Sequence, residues 1–512
     1  MVMNGAPPMR IDLIPRPVHL EYGEGFFQST GLPGIGGDRV FQGEMALAAE
    51  QIHRDLGLPL GEEPVKVVCR EVPALREGEP GQEAYRLTVT PGGITLEAST
   101  GAGIYHGLQT LRQLILSGYE PNTLTIPALT INDYPRFPWR GCMLDVSRHF
   151  YTPAFIKKLL DVLSLHHINV FHWHLTDDQG WRFPIPAYPA LIEIGSKCRN
   201  TRNSHAPELK QFYTPGEIRD LVAYAGARHI TVVPEVDLPG HTRAALAAYP
   251  EMGCTGGPYS VDDRHGIFSD VLCAGNDRIF DLVEAVFDTL ADFFPAPYVH
   301  IGGDEVPVSR WEACPKCRRR LGELGFERPR QLQGWLTVRF AQMLKSRGKI
   351  PLGWDEVLED TETLGLPPEL VVMSWRGQEG GIKASAAGHR VVMSPSSDGC
   401  YLDYRNYDLP EEPGAGSRII RVYDAYMNDP ITPEMTRDQA ALVLGGQGNL
   451  WSELLYADRW AEYMLFPRIC ALAEAFWIPR ELKDFASFSG RLPVHQKRLD
   501  ILNILSYRGP LQ

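Results

Sequence analysis

The stretch PYVHIGGDEVPVSRW, residues 297–311, reads as a short apolar strand, Tyr298 to Ile301, that passes through two glycines into adjacent carboxylates, Asp304 and Glu305. Like charges side by side at the end of a buried strand cost free energy unless a ligand or a reaction uses them. The same design recurs along the chain. Apolar runs ending in polar chemistry stand at 141–148 (GCMLDVSR), 168–178 (INVFHWHLTDD), 230–241 (ITVVPEVDLPGH), 350–357 (IPLGWDEV), 370–377 (LVVMSWRG), 390–403 (RVVMSPSSDGCYLD) and 441–453 (ALVLGGQGNLWSE). With 298–305 they make eight.

Near-continuous apolar runs are what strands buried on both faces require, as in a parallel sheet covered by helices. The intervening helices announce themselves by their caps. Thr152-Pro153 precedes AFIKKLLDVLSL, and Thr214 with Glu217 forms a capping box ahead of IRDLVAYAGA. Only the seventh connection, 404–440, is rich in Pro, Gly and Asp and shows no convincing helix. Eight strand–helix units, one imperfect, predict an α/β fold of the (β/α)8 TIM-barrel class over 135–512, with a helical extension at its C-terminal end. Residues 9–134 predict a small N-terminal α+β unit. Tyr85, Leu87 and Val89 alternate up to the turn Pro91-Gly92-Gly93, and Ile94 and Leu96 alternate after it. Ile104, Leu108, Leu111 and Leu114 then follow at helical spacing. The proline-bearing stretch INDYPRFPWRG, 131–141, is the expected boundary.

Composition narrows the partners. A net charge of −13 argues against nucleic acid or an anionic membrane, and no run of about 18 apolar residues offers a membrane span. The start MVMNGAPPMRIDLIPRP lacks the basic-then-apolar order of a signal peptide, and nine scattered cysteines suit a reducing compartment, so a cytoplasmic setting is expected. Cys314 and Cys317 form a lone CxxC with no second pair, which argues against structural zinc, while Cys254 and Cys273 flank a loop and could pair if the protein were exported. Oligomeric state leaves no trace in the sequence.

In such barrels, active sites sit at the C-terminal ends of the strands. The run ends offer Arg148, Asp177 with Asp178, Asp237 with His241, Asp304 with Glu305, Trp354, Trp375, Tyr401 with Asp403, and Trp451 with Glu453. Aromatic faces suit the C–H faces of a sugar ring, and Arg, Asp and Glu suit its hydroxyls, so a neutral carbohydrate fits better than a phosphate ligand. Adjacent acids cannot easily flank a scissile bond in the manner of carboxylates about 5–5.5 or 6.5–9.5 Å apart. They can approach one edge of it, one reaching the glycosidic oxygen and the other a substituent on the neighbouring carbon, which leaves a substrate group to act as nucleophile.

The motifs HIGGDE (300–305), DVSRHF (145–150), HWHLTDDQGWR (172–182), PEVDLPGH (234–241), GWDE (353–356) and NLWSE (449–453) resemble glycoside hydrolase family 20, the β-N-acetylhexosaminidases, in order along the whole barrel. The N-terminal α+β unit, 9–134, resembles the family's accessory domain. The resemblance implies an exo-acting, retaining hydrolase of terminal β-linked N-acetylglucosamine or N-acetylgalactosamine, working without a metal or cofactor. It implies Glu305 as general acid and then base, and Asp304 as the partner of the acetamido N–H. Tyr401 would bind the acetamido oxygen. Arg148 would bind the far hydroxyls of the ring, with Glu453 and Asp403 on the other exocyclic groups, and Trp354, Trp375 and Trp451 would line the pocket. Asp177 and His241 would form the network that orients Glu305. Both epimers satisfy this reading, and the aglycone stays open among chitooligosaccharide, glycan and glycolipid.

Plainer readings stand beside these. Trp354 and Trp375 serve equally as core, Trp335 reads as core or rim, Asp237 as a loop cap with a structural role, Asp178 as a loop residue or a support behind the site, and Arg148 as half of a salt bridge. Two other functions compete. A metal-dependent hydrolase would use the HxH of His172 and His174 with His241, His300 and Asp304. A non-catalytic sugar-binding protein would be expected to have lost one of Asp304, Glu305 and Tyr401.

Overall fold

Each of the eight apolar runs holds one strand of a closed parallel barrel: β1 (Trp139–Asp145), β2 (Val170–His174), β3 (Thr231–Glu235), β4 (Tyr298–His300), β5 (Ile350–Trp354), β6 (Val371–Ser374), β7 (Val391–Met393) and β8 (Val443–Leu450). Successive strands pair in chain order and β8 closes on β1. This computed structural model describes residues 11–512 except 62, 199–208, 360, 362–363, 409–410 and 416–417. Residues 9 and 10 of the expected accessory domain, and four positions of the 404–440 connection, therefore lie outside the described residues.

Side chains alternate between the two faces of each strand. Trp139, Val170, Val233, Leu352, Trp354, Val371, Met373 and Val392 pack together as the barrel interior. Their neighbours Leu144, Phe171, Trp173, Val232 and Val372 belong to the larger core under the helices. Register then levels the strand ends. Asp145 pairs with His174, His174 with Glu235, and Glu235 with His300, so four polar residues of four strands form one layer at the C-terminal mouth.

Helices Pro153–Leu165 and Pro215–Gly226 begin at the predicted caps, with Thr152 accepting from the Phe155 N–H and the Thr214–Glu217 box complete. The 404–440 connection departs from expectation: it carries two short helices, Val422–Met427 and Arg437–Ala440. The second opens on a Thr436–Gln439 capping box that was legible in the sequence.

The N-terminal residues build a seven-stranded sheet that includes the hairpin Tyr85–Thr90 and Gly93–Ala98, covered by helices Gln42–Asp55 and Gly101–Gly118. The second helix is buried on nearly all sides. Its apolar face, with Ile104, Leu108, Leu111 and Ile115, lies on the sheet. Its polar side meets the first barrel helix, where Tyr105 hydrogen-bonds Ser164 and Arg112 pairs with the buried Asp161 at 3.0 Å. Arg54 at 2.6 Å and Arg228 at 3.0 Å complete that site. Burial works to raise the Asp161 pKa, but the three guanidiniums outweigh it and hold the carboxyl well below the usual range. Glu83, against Arg140 and His106, is likewise held at about 2 despite burial.

One expectation is corrected. Cys314 and Cys317 do have a second pair beside them, because the loop after β3 brings Cys254 and Cys273 against them, all four sulfurs lying within 4.8 Å of one another. None of the nine cysteines is bonded to another. Among the described residues no helix is long and apolar enough to cross a membrane.

Asp161→Asn leaves buried guanidinium charge uncompensated, so a urea titration at neutral pH should show a loss of about 3 kcal/mol in unfolding free energy. A loss below about 1 kcal/mol would show that the interface does not depend on this charge. Glu83 and Asp161 titrate lower in the folded than in the unfolded chain. Their stabilisation is thus present above about pH 4.3 and should be lost as the pH falls toward about 2.

Candidate active site

The turn after β4 explains why HIGGDE has its glycines. Gly302 and Gly303 have φ of +67° and +98°, and a Cβ on Gly302 would lie 1.8 Å from Asp237 Oδ1. That close approach is used: the Gly303 N–H donates to Asp237 Oδ1 at 3.0 Å, and the Gly302 N–H donates to His300 Nδ1 at 3.0 Å. Glu305 follows with φ +49°, a left-handed conformation that costs a non-glycine residue about 1–2 kcal/mol and recurs at functional sites. The turn leaves the Asp304 side chain 11% exposed and the Glu305 side chain 34% exposed. Asp237 is therefore more than a loop cap: it shapes the turn and lies beside Asp304. Burial raises the pKa of both carboxyls, and the Asp304 charge pushes Asp237 further up, making Asp237 the protonated member of the pair.

Behind the two acids runs a chain of alternating charge. His241 Nε2 lies 3.8 Å from Asp304 Oδ2 and 3.6 Å from Glu305 Oε2. Its Nδ1–H donates to Asp177 at 3.1 Å and to Asp178 at 3.2 Å. Burial opposes protonation, yet Asp177, Asp178 and Glu305 together raise the imidazole pKa well above its ordinary value. Asp177 in turn accepts from His174 at 2.9 Å and forms an ion pair with Arg148 at 2.8 Å. Arg148 also reaches Asp145 and Gln179 and lies 4.9 Å from the Trp451 ring centroid, so the salt bridge and the pocket position coexist. Asp178, expected in a loop or as a support behind the site, is the support: it is 1% exposed and braces both His241 and the Arg243 N–H.

Beneath lies Glu235, fully buried, which the sequence reading passed over. Its Oε2 meets His172 at 3.0 Å and His174, while its Oε1 meets His300 at 3.0 Å and accepts from Trp354 Nε1–H at 2.8 Å. Strand alternation sends His172 and His174 inward together, which is why they read as an HxH metal pair; here both are spent on the carboxylate. Trp354 is 1% exposed and acts as part of this floor.

Aromatic rings form one wall. Trp375 and Tyr401 stack with centroids 6.1 Å apart at 11°, and Trp451 stands 6.4 Å from Tyr401 and 5.9 Å from Trp354. Trp375 Nε1–H donates to Glu356 Oε2 at 2.9 Å, and burial beside Asp304 raises the Glu356 pKa to about 9. Asp403 and Glu453 are raised by burial as well. Asp304 Oδ1, Asp403 Oδ1 and Glu453 Oε2 are buried and have no hydrogen-bond partner in the protein. Buried oxygens left unpaired are costly, so three of them converging from different strands mark where a ligand's N–H and O–H groups belong. Trp335, by contrast, packs on Phe280 at the helical rim, away from this group.

A family model described as "Glycosyl hydrolase family 20, catalytic domain" matches residues 137–480, and one described as "domain 2" of the same family matches residues 10–134. The chain belongs to glycosyl hydrolase family 20. It is a glycoside hydrolase of the β-hexosaminidase type. A β-hexosaminidase of Porphyromonas gingivalis is 40% identical over 84% of this chain, which spans 55% of that longer protein. A β-N-acetylhexosaminidase of Cellulomonas fimi is 33% identical over 98% of this chain and 96% of its own. Among solved structures, a family 20 exo-β-N-acetylglucosaminidase of Vibrio harveyi in complex with N-acetylglucosamine superposes with a TM-score of 0.89 at 30% identity, covering 99% of this chain and 80% of that one.

The family 20 turn after β4 offers a direct test. Gly302→Ala should destabilise the protein by at least about 2 kcal/mol more than Gly325→Ala, which has the same φ of +67° but open space around it. Equal melting temperatures for the two variants would show that the Asp237 contact does not constrain the turn.

Proposed function

We propose that the chain removes terminal β-linked N-acetylglucosamine or N-acetylgalactosamine from glycosides, with retention, using the substrate's own 2-acetamido oxygen as nucleophile. The observation that carries the reading is Asp304 Oδ1, buried and unpartnered beside Glu305 and next to the aromatic wall. An acetamido N–H satisfies that oxygen, which leaves the neighbouring Glu305 free to act on the glycosidic oxygen.

Glu305 gives its proton to the glycosidic oxygen as the C1–O bond breaks and the acetamido oxygen bonds to C1, forming an oxazolinium ring. Asp304 accepts the N–H and offsets the positive charge on that ring. The Tyr401 O–H, whose pKa burial raises well above its ordinary value, stays protonated to donate to the acetamido oxygen. Imidazolium His241, 3.6 Å from Glu305, stabilises the carboxylate that remains. Glu305 then takes a proton from water as the water oxygen bonds to C1, the ring opens, and the product keeps its β configuration. Arg148, Asp403 and Glu453 suit the outer hydroxyls, and Trp375 and Trp451 suit the ring face. The Vibrio harveyi neighbour, which holds N-acetylglucosamine, supports the substrate class.

Glu305→Gln should lower kcat on an aryl β-N-acetylglucosaminide by about 10³-fold while a thiazoline mimic of the cyclised intermediate still binds. Asp304→Asn should cost about 10²-fold or more on the same substrate. The wild-type enzyme should leave the matching aryl β-glucoside, which has no acetamido group, intact. Near-normal turnover by Glu305→Gln would remove Glu305 as the acid, and ready cleavage of the glucoside would remove acetamido participation.

A further inference from the structure

The four cysteines beside the active-site loops are not used by this chemistry. Cys254 and Cys273 lie in the loop after β3, which also carries Asp237 and His241, while Cys314 and Cys317 bracket the first turn of helix Pro315–Glu323, in the connection that follows Glu305. Their Sγ atoms are separated by 3.7 Å (Cys254 to Cys317), 3.8 Å (Cys273 to Cys314) and 3.6 Å (Cys273 to Cys317). A disulfide would bring two sulfurs to about 2.05 Å. Four sulfurs placed tetrahedrally about 2.3 Å from one centre stand about 3.8 Å apart. The observed spacing matches the second arrangement, and it involves all four residues, with no preferred pair.

We propose that Cys254, Cys273, Cys314 and Cys317 form a closed four-thiolate zinc site that clips the loop after β3 to the loop after β4. On binding Zn²⁺ the four thiols would release four protons to solvent and leave a centre of net charge −2. The surroundings suit that centre. The sequence CPKCRRR, 314–320, supplies Lys316 and three arginines on the same segment, and Cys317 sits in a helix first turn, where the backbone favours a thiolate. A Cβ on Gly275 would lie 2.2 Å from the Lys316 carbonyl carbon, so the two loops meet too closely for any other residue. Three of the four cysteines are buried, which leaves no open position for a substrate and makes the role structural. The clip holds fixed the distance between His241, on one loop, and Glu305, on the other.

The test is metal content. Protein purified without chelator and dialysed against metal-free buffer should carry about one zinc per chain by plasma mass spectrometry. Cys314→Ser and Cys317→Ser should each lose that zinc and melt at a lower temperature. Should those variants fail to fold, the unaltered chain refolded with Co²⁺ should show the intense visible bands of tetrahedral cobalt thiolate. Zinc at background level after refolding in excess Zn²⁺, or disulfides among the four residues after alkylation and peptide mapping, would overturn the proposal.

Discussion

The structure turns on one buried carboxylate. Glu235 lies inside the barrel, fully shielded from water, where an unpaired charge would be prohibitive. It is stabilised by contact with His172, His174 and the Trp354 indole, with His300 packed beside it, and these residues bring four strands to one level. Burial acts to raise its pKa, and the imidazoles more than offset this, holding it well below the ordinary range. The charge then propagates outward. His174 is cationic between Glu235 and Asp177, Asp177 is anionic between His174 and His241, and His241 is cationic against Asp304 and Glu305. Each ion is the reason its neighbour can be charged, so the acids at the mouth are oriented from the barrel core upward.

This coupling accounts for the local strain. His241 and Glu305 both adopt left-handed backbone conformations, φ +50° and +49°, which L-residues avoid without compensation. Compensation comes from the ion chain on one side and, on the other, from the Gly302–Gly303 turn locked to Asp237. In the proposed mechanism both side chains must be in place before the substrate reacts, which is where such conformational cost is spent.

Much of this was legible along the chain. Eight apolar runs in order, with caps between several of them, were enough for the barrel, because strands buried on both faces leave an apolar signature and helix starts need capping side chains. Arg148, Asp177, His241, Asp304, Glu305, Trp375, Tyr401, Asp403, Trp451 and Glu453 gather at the C-terminal mouth, since strand ends of a parallel barrel share one rim. The misses have a common cause. Glu235, Asp145 and Glu356 lay inside quoted runs, yet a carboxylate within an apolar run looks the same whether it faces a ligand or three imidazoles. Trp354 read as pocket lining and stands as floor for the same reason. Cys254 and Cys273 gave no metal spacing because their partners come from another loop.

Sequence alone determined the strand order, the rim on which the polar residues fall, and the glycine-carboxylate turn, all of which follow from local periodicity and backbone sterics. Tertiary structure decided which of those residues face one another: that His172 and His174 close on Glu235, that Asp237 grips the Gly302–Gly303 turn, and that four cysteines converge. Charge pairing depends on distance through space, and only the closed barrel sets those distances.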